Sequence, residues 1–310
     1  MKTAFLIYNP VAGRHPARRE REIQEAATVL REESIAVRLV RTSGPGTACE
    51  QARAAVAERT DLVIVCGGDG TINEVVNGLV PGKTVLGILP GGTANIIAKE
   101  LGLPHHPVRA ARQLSRWGPR RIALGKAVWA CANGRPVADE EHRLFLSVAG
   151  VGFDAHVVYQ LSAAFKMSLG VVAYGWEAIR QALRYRFPAF LCQAGGQQRR
   201  ATFAVVHRTK LYAGWFHLAP TANLFESQFA LCLFKSPRRE RYFLYAAAAA
   251  TRQHLRLRDV ELMDARRIVC TSEGQALIRF ELDGELVGTL PATFEIVPDA
   301  LTLLVPRTGD

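Results

Sequence analysis

Gly67-Gly68-Asp69-Gly70-Thr71 holds several groups suited to phosphate chemistry in one short run. It follows the apolar stretch Leu62–Cys66 and precedes a helical pattern that continues through Ile72 and Asn73 to Leu79. Glycines between a strand and a helix let a ligand touch the main chain without meeting a Cβ. The helix start adds N–H groups without intrahelical partners, and these favour an anion such as a nucleotide phosphate. Asp69 can accept from N–H groups, hold Mg2+ or contact a ribose, and Thr71 can cap the helix or touch phosphate. No Gly-Lys-Ser/Thr follows, so this is not a P-loop, and the Gly-x-Gly-x-x-Gly spacing of dinucleotide turns is absent. Far along the chain, Asp283-Gly284-Glu285 places two carboxylates side by side. A carboxylate can accept the proton of an attacking hydroxyl in phosphoryl transfer. Taken alone, Asp-Gly is equally an ordinary hairpin signal.

The elements that must hold these residues follow from the hydrophobic pattern. TAFLIYN, IAVRLVRT, DLVIVCG and TVLGILP read as four strands, each followed by a helical stretch. Such alternation predicts a parallel sheet covered by helices. The strands end in the loops YNPVAGR, RTSGPGT, GGDGT and LPGGTAN. Ligands bind beyond the carboxyl ends of parallel strands, so four Gly/Ser/Thr/Asn loops there predict a composite nucleotide site. From about Ile122 the pattern changes to short strands separated by turns, with helices expected at Leu169–Arg184 and Arg239–Leu257. The expected fold is an α/β domain over 1–122 and a mostly antiparallel β-sandwich over 123–294, with 295–310 returning to the first domain.

The chain has 310 residues, 49% of them hydrophobic, and a formal net charge of +11. The charge favours anionic partners: nucleotides, nucleic acid or an acidic lipid surface. Nucleic acid is the weakest of these, because aromatics are not interleaved with the basic runs as a stacking surface requires. Six scattered cysteines without a Cys-x-x-Cys pair predict reduced thiols and a cytoplasmic protein. No stretch approaches the roughly 18 apolar residues of a membrane span, so membrane contact is expected to be peripheral. His156, His207 and His217 lack metal-ligand spacing and read as structural or surface residues.

Asn9-Pro10-x-x-Gly13, Gly67-Gly68-Asp69-Gly70-Thr71-x-Asn73-Glu74, Pro90-x-Gly92-Thr93-x-Asn95, Gly150-x-Gly152-x-Asp154-Ala155 and Asp283-Gly284-Glu285 together resemble the diacylglycerol kinase catalytic family. The resemblance spans nearly the whole chain. Soluble NAD kinases share the Gly-Gly-Asp-Gly-Thr motif, but the Asn-Pro start and the late Asp-Gly-Glu favour the lipid-kinase branch. The resemblance implies ATP in a cleft between the two domains, with Asn9, Pro10, Val11, Ala12, Gly13, Thr42, Gly67–Asn73 and Thr93 lining it. It implies that Asp283 or Glu285 deprotonates a lipid hydroxyl, diacylglycerol being the default acceptor, and that Mg2+ bridges the ATP phosphates.

Two departures from the family pattern stand out. Glu226-Ser227 occupies the place where an Asp-Gly pair would hold a structural Mg2+; Glu226, with the carbonyls of Asn223 or Gln228, is the candidate ligand set. Ile96-Ile97 follows Asn95 where an acidic residue and an aromatic are common. A lipid kinase without a span must dock transiently on an anionic bilayer, and Trp176–Pro188 is a candidate interfacial helix, although an ordinary core-packed amphipathic helix fits it as well. An oligomer is compatible with the sequence. The competing functions are an NAD kinase-like soluble enzyme and a catalytically silent nucleotide- or membrane-binding module.

Overall fold

The computed structural model describes residues 2–13, 16–132, 135–160, 180 and 183–307. Most of the helix expected over Leu169–Arg184, residues 169–179 and 181–182, lies outside the described residues, and with it 176–179 and 181–182 of the candidate interfacial stretch Trp176–Pro188. The chain forms two compact units, residues 1–123 with 298–310, and residues 124–297.

The first unit alternates strand and helix as its pattern requires. Its strands are β1 (Lys2–Tyr8), β2 (Ile35–Arg41), β3 (Leu62–Gly67) and β4 (Val85–Pro90). Its helices are α1 (Pro16–Glu32), α2 (Thr47–Ala57), α3 (Asp69–Leu79), α4 (Ile96–Glu100) and α5 (Pro107–Leu114). The strands pair in parallel in the order β2-β1-β3-β4. Every residue of β3 is buried, the signature of a strand with helices on both faces. The register pairs Tyr8 with Arg41 and Cys66, and Gly67 with Pro90. All four strands therefore end at one edge, and the loops that follow them emerge together.

The second unit is a sandwich of two sheets. One runs β14 (Val260–Ala265), β13 (Phe229–Phe234), β10 (Phe203–His207), β7 (Val148–Gly152), β16 (Arg279–Leu282), β17 (Glu285–Thr289), all antiparallel. The other contains β15 (Arg267–Ser272), β8 (Phe190–Ala194) and β9 (Gln197–Ala201), beside the start of β18 (Ala292–Val305). The long strands β5 (Gly118–Ala132) and β6 (Arg135–Phe145) pair with each other, and a two-residue ribbon joins β11 (Leu211–Tyr212) to β12 (Phe216–His217). Aromatic rings from both sheets fill the space between them: Phe145 stacks on Phe229 at 5.7 Å, and Phe280 meets Phe294 edge-on at 5.7 Å.

The fold class is the one the sequence implies, an α/β domain followed by an antiparallel sandwich. Three local elements differ. The stretch HRLFLSVAGVGFDA, His142–Ala155, reads from its apolar pattern as strand throughout, but the chain turns at Gly152 (φ +87°) and becomes helix α6, Phe153–Gln160. The expected helix Arg239–Leu257 stops at Ala250, because Arg252 adopts a left-handed conformation (φ +58°); one 3₁₀ turn follows at His254–Arg256. The runs ATFEIVP and ALTLLVP, which read as two separate strands, form a single one, β18.

Candidate active site

At the shared strand edge of the first unit, two glycine loops lie against each other. Gly91 N donates to Gly67 O at 3.0 Å. A Cβ on Gly92 would sit 2.4 Å from Gly68 Cα, so no larger residue fits between the backbones. Asn95, itself left-handed (φ +49°), fixes the second loop by accepting from Gly92 N at 2.8 Å and donating to Gly92 O at 2.9 Å. Asp69 Oδ1 accepts from Ile96 N at 2.8 Å, which ties the first turn of α3 to α4. The Asn-Pro loop joins the same cluster: Asn9 Nδ2 donates to Thr71 Oγ1 at 3.3 Å, Asn9 Oδ1 accepts from Val11 N at 3.0 Å, and Asn9 N donates to Cys66 O at 3.0 Å. Thr42 is buried at the end of β2, with its N–H on Tyr8 O at 2.9 Å.

These contacts bring Asn9, Thr42, Gly67, Gly68, Asp69, Thr71 and Gly92 to one rim. Ile72 and Asn73 are both 1% exposed, on the buried face of α3, whereas Val11 and Thr93 are exposed. The thiol of Cys66, beneath the loop, is pushed up to about 12 by burial and is inert.

A pocket opens beside this rim, lined by Gly13, Arg19, Gly92, Thr93, His105 and His106 among others. Its basic members were not singled out from the sequence. Arg19 lies on α1, is 7% exposed and donates to Gly91 O at 2.7 Å and Ala12 O at 3.3 Å, clamping the Asn-Pro loop to the second glycine loop. Glu22 pairs with it at 2.9 Å. His106 caps α5 through Val108 N. Nothing in the run of arginines along α1 distinguishes Arg19 until the helix is seen to turn it inward.

In the second unit, Asp283 and Gly284 form the tight turn between β16 and β17, with φ +50° and +86°. Both are left-handed, as a two-residue hairpin demands. The Asp283 carboxylate is held by three main-chain donors: Oδ2 accepts from Leu146 N at 2.8 Å, and Oδ1 from Ser147 N at 2.8 Å and Val148 N at 3.0 Å. Glu285 is placed differently. Its Oε2 meets Arg143 at 2.6 Å, and its side chain is 43% exposed. The hairpin also rests on Glu281, whose Oε2 accepts from Gly284 N at 2.5 Å.

The loop expected to hold a structural cation carries its own. Arg208, at the end of β10, is completely buried. Its guanidinium donates to Leu224 O and to Gln228 O, both at 2.6 Å. Glu226 balances the charge, and burial lowers the guanidinium only to about 10, so it stays protonated at neutral pH. Glu226 accepts in turn from the amides of Asn223 and Gln228, each at 3.2 Å. The donor set Glu226, Asn223 and Gln228 is thus turned on itself and on Arg208; as arranged it does not fit an added divalent ion.

Comparison with known proteins places both units in one family. Residues 3–127 match the diacylglycerol kinase catalytic domain, and residues 147–305 match the YegS C-terminal NAD kinase beta sandwich-like domain. The chain is 28% identical to the diacylglycerol kinase of Bacillus subtilis (strain 168), over 99% of this chain and 97% of the relative. It is 27% identical to a diacylglycerol kinase of Staphylococcus aureus (strain MRSA252), over 94% and 89%. A solved diacylglycerol kinase structure from Bacillus anthracis str. Sterne shares the fold with TM-score 0.72 at 19% identity, covering 98% of this chain and 97% of that one. The chain belongs to the diacylglycerol kinase catalytic family and is an ATP-dependent lipid kinase.

Proposed function

We propose that the lipid acceptor is diacylglycerol, that Glu285 takes the proton from its free hydroxyl, and that Asp283 holds the turn in place. The observation that carries this reading is the contrast within one hairpin. Asp283 has three main-chain donors on its two oxygens, whereas Glu285 has one arginine and an open face. An oxygen already receiving strong N–H donors is poorly placed to take a further proton, while a carboxylate held by a single guanidinium keeps its rotamer and a free lone pair.

Mg2+ carried with the nucleotide would offset charge on the transferring group. The nucleotide's phosphates rest on main-chain N–H groups of Gly67–Thr71 at the start of α3, with Asn9, Pro10, Val11, Ala12, Gly13, Thr42 and Thr93 supplying the surrounding loops and Ile72 and Asn73 packed beneath them on α3. Arg19, His105 and His106 line the neighbouring pocket and offer it N–H groups. Because phosphoryl transfer needs little covalent help, rigid placement of these loops supplies much of the rate. No described helix is long and apolar enough to cross a membrane, so the lipid is met at an anionic surface to which the basic chain is drawn from the cytoplasm.

The test is transfer from labelled ATP to defined lipids in mixed micelles. Diacylglycerol should take the label, and vesicles richer in anionic lipid should raise the rate. Label on another hydroxyl lipid, with none on diacylglycerol, would overturn the acceptor assignment.

A further inference from the structure

On the second unit, several large apolar side chains stand in solvent beside a run of arginines. Trp215, in the turn between β11 and β12, is 60% exposed. Its ring rests against Phe216, with centroids 5.9 Å apart. Ala213 and Gly214 are both left-handed there (φ +50° and +88°), and Trp215 N closes the turn on Tyr212 O at 3.2 Å. Helix α7 (Arg239–Ala250) turns Tyr242, Tyr245, Ala248 and Ala249 inward and leaves Phe243 and Leu244 exposed on its outer side. Leu255, in the 3₁₀ turn that follows, is exposed as well.

These elements touch one another. α7 packs on β12 and on the 3₁₀ turn, and His254 Nε2 lies 2.9 Å from Leu218 O, just past β12. Burial first, then the charges of Arg252 and Lys210, hold the His217 imidazole below its ordinary value, so cations from both segments flank that ring. Glu240 is the one acidic residue from Arg238 to Arg258, Lys210–Leu218 has none, and Asp259 is met by Arg241 at 2.7 Å. Exposed apolar groups rimmed by cations fit an anionic bilayer. The rings and aliphatic groups enter the headgroup boundary while the guanidinium groups meet lipid phosphates.

The ribbon also leaves its sheet beside the turn that carries the proton acceptor. His207, at the end of β10, pairs with Val148, and Leu282 pairs with the neighbouring Ala149. Ser147 joins the two: its O accepts from Arg208 N at 2.8 Å, at the base of the ribbon, and its N donates to Asp283 Oδ1 at 2.8 Å.

We propose that Trp215 and Leu255, flanked by Phe243 and Leu244, dock into an anionic phospholipid bilayer with Arg252 and Arg256 on its headgroups, and that this contact brings the lipid hydroxyl to the end of the sandwich bearing Glu285. The inference rests on the reading of the acceptor as a membrane diacylglycerol and of Glu285 as its base.

The experiment needs no ATP. The full chain is mixed with vesicles of phosphatidylcholine alone or with about one-third phosphatidylglycerol, and a parallel set carries brominated acyl chains. The parent should bind the anionic vesicles at least about tenfold more tightly, and the brominated chains should quench its fluorescence. Trp117 and Trp129 are buried, so Trp215→Phe should lose most of that quenching. Arg252→Gln and Arg256→Gln should each weaken binding about fivefold, the factor that about 1 kcal/mol per charge produces. Trp215→Ser and Leu255→Ser should each weaken it about tenfold. Exposed substitutions leave the fold intact, so Tm, and kcat on a short-chain, water-soluble diacylglycerol, should match the parent throughout. Equal vesicle affinity in the parent and these variants, or undiminished quenching in Trp215→Phe, would overturn the docking surface. So would a parent dimer that Leu255→Ser splits without loss of vesicle binding, since the patch would then seat a second copy of the chain. A parent that transfers nothing to short-chain diacylglycerol would defeat the acceptor reading alone, because vesicle binding judges the surface without any chemistry.

Discussion

Asp283→Asn separates a structural carboxylate from a chemical one within a single residue of the site. Asparagine is nearly isosteric and tolerates the left-handed conformation at this position (φ +50°), so backbone strain is not introduced. In place of a carboxylate with three N–H partners, the amide offers one oxygen. Two bonds, to Ser147 N and Val148 N, survive as neutral ones, with roughly 1 kcal/mol lost from each. The third is replaced by an NH2 group facing the N–H of Leu146, a residue 1% exposed, which leaves a buried donor unpaired for a further ~1–3 kcal/mol. The total is ~3–5 kcal/mol, or about 10 °C in Tm for a unit of this size. Glu285→Gln removes only a partly exposed ion pair, whose loss costs under about 1 kcal/mol, yet it should reduce kcat about 100-fold or more. Differential scanning fluorimetry and a mixed-micelle kinase assay on the same samples read both quantities. A wild-type Tm in Asp283→Asn, together with the larger loss of kcat, would refute the division of roles.

Gly92→Ala should weaken nucleotide binding by about tenfold or more in calorimetry, since its Cβ would force the two glycine loops apart at a backbone-to-backbone contact; unchanged affinity would remove those loops from the nucleotide site. Arg208→Met should cost ~2–4 kcal/mol by leaving the carbonyls of Leu224 and Gln228 without their donors, while EDTA should leave the Tm of the nucleotide-free parent unchanged; a drop in the parent with EDTA would mean that a metal, not Arg208, holds the loop. His207 is fully buried, with its Nδ1 at 3.1 Å from Thr209 O, and burial lowers it to about 3. The unfolded chain therefore gains a proton first, and stability should fall as pH drops below about 6.5; His207→Asn melts should show a shallower acid slope, and an identical slope would count against a neutral buried ring.

The four glycine loops were legible because each repeats one local grammar, a buried strand followed by residues that permit close approach. The fold class was legible for the same reason, in the change from strand–helix alternation to short strands. What stayed hidden depends on pairings distant in sequence. Asp283 and Glu285 look equivalent in the string, and only the main chain at Leu146–Val148 tells them apart. Glu281 reads as one more residue of an alternating strand until α6 lays Asp154 against it, and α6 itself was concealed inside a strand-like run. Arg208 gives no signal, because its partners are carbonyls that every residue possesses. Arg19 likewise depends on which way α1 rolls.

The far end of β18 has a consequence for how the chain is made. Leu303 pairs in parallel with Leu86 of β4, and Leu301, Leu303 and Val305 are buried there. A segment some 200 residues downstream thus completes the sheet that carries the glycine loops. On the ribosome, the earlier strands wait for that last one with a raw edge at β4, a row of unpaired backbone groups inviting wrong partners. A fragment cut after Ala123 should therefore be an aggregating stub, and splicing residues 298–307 onto it should be what turns it into a manageable domain.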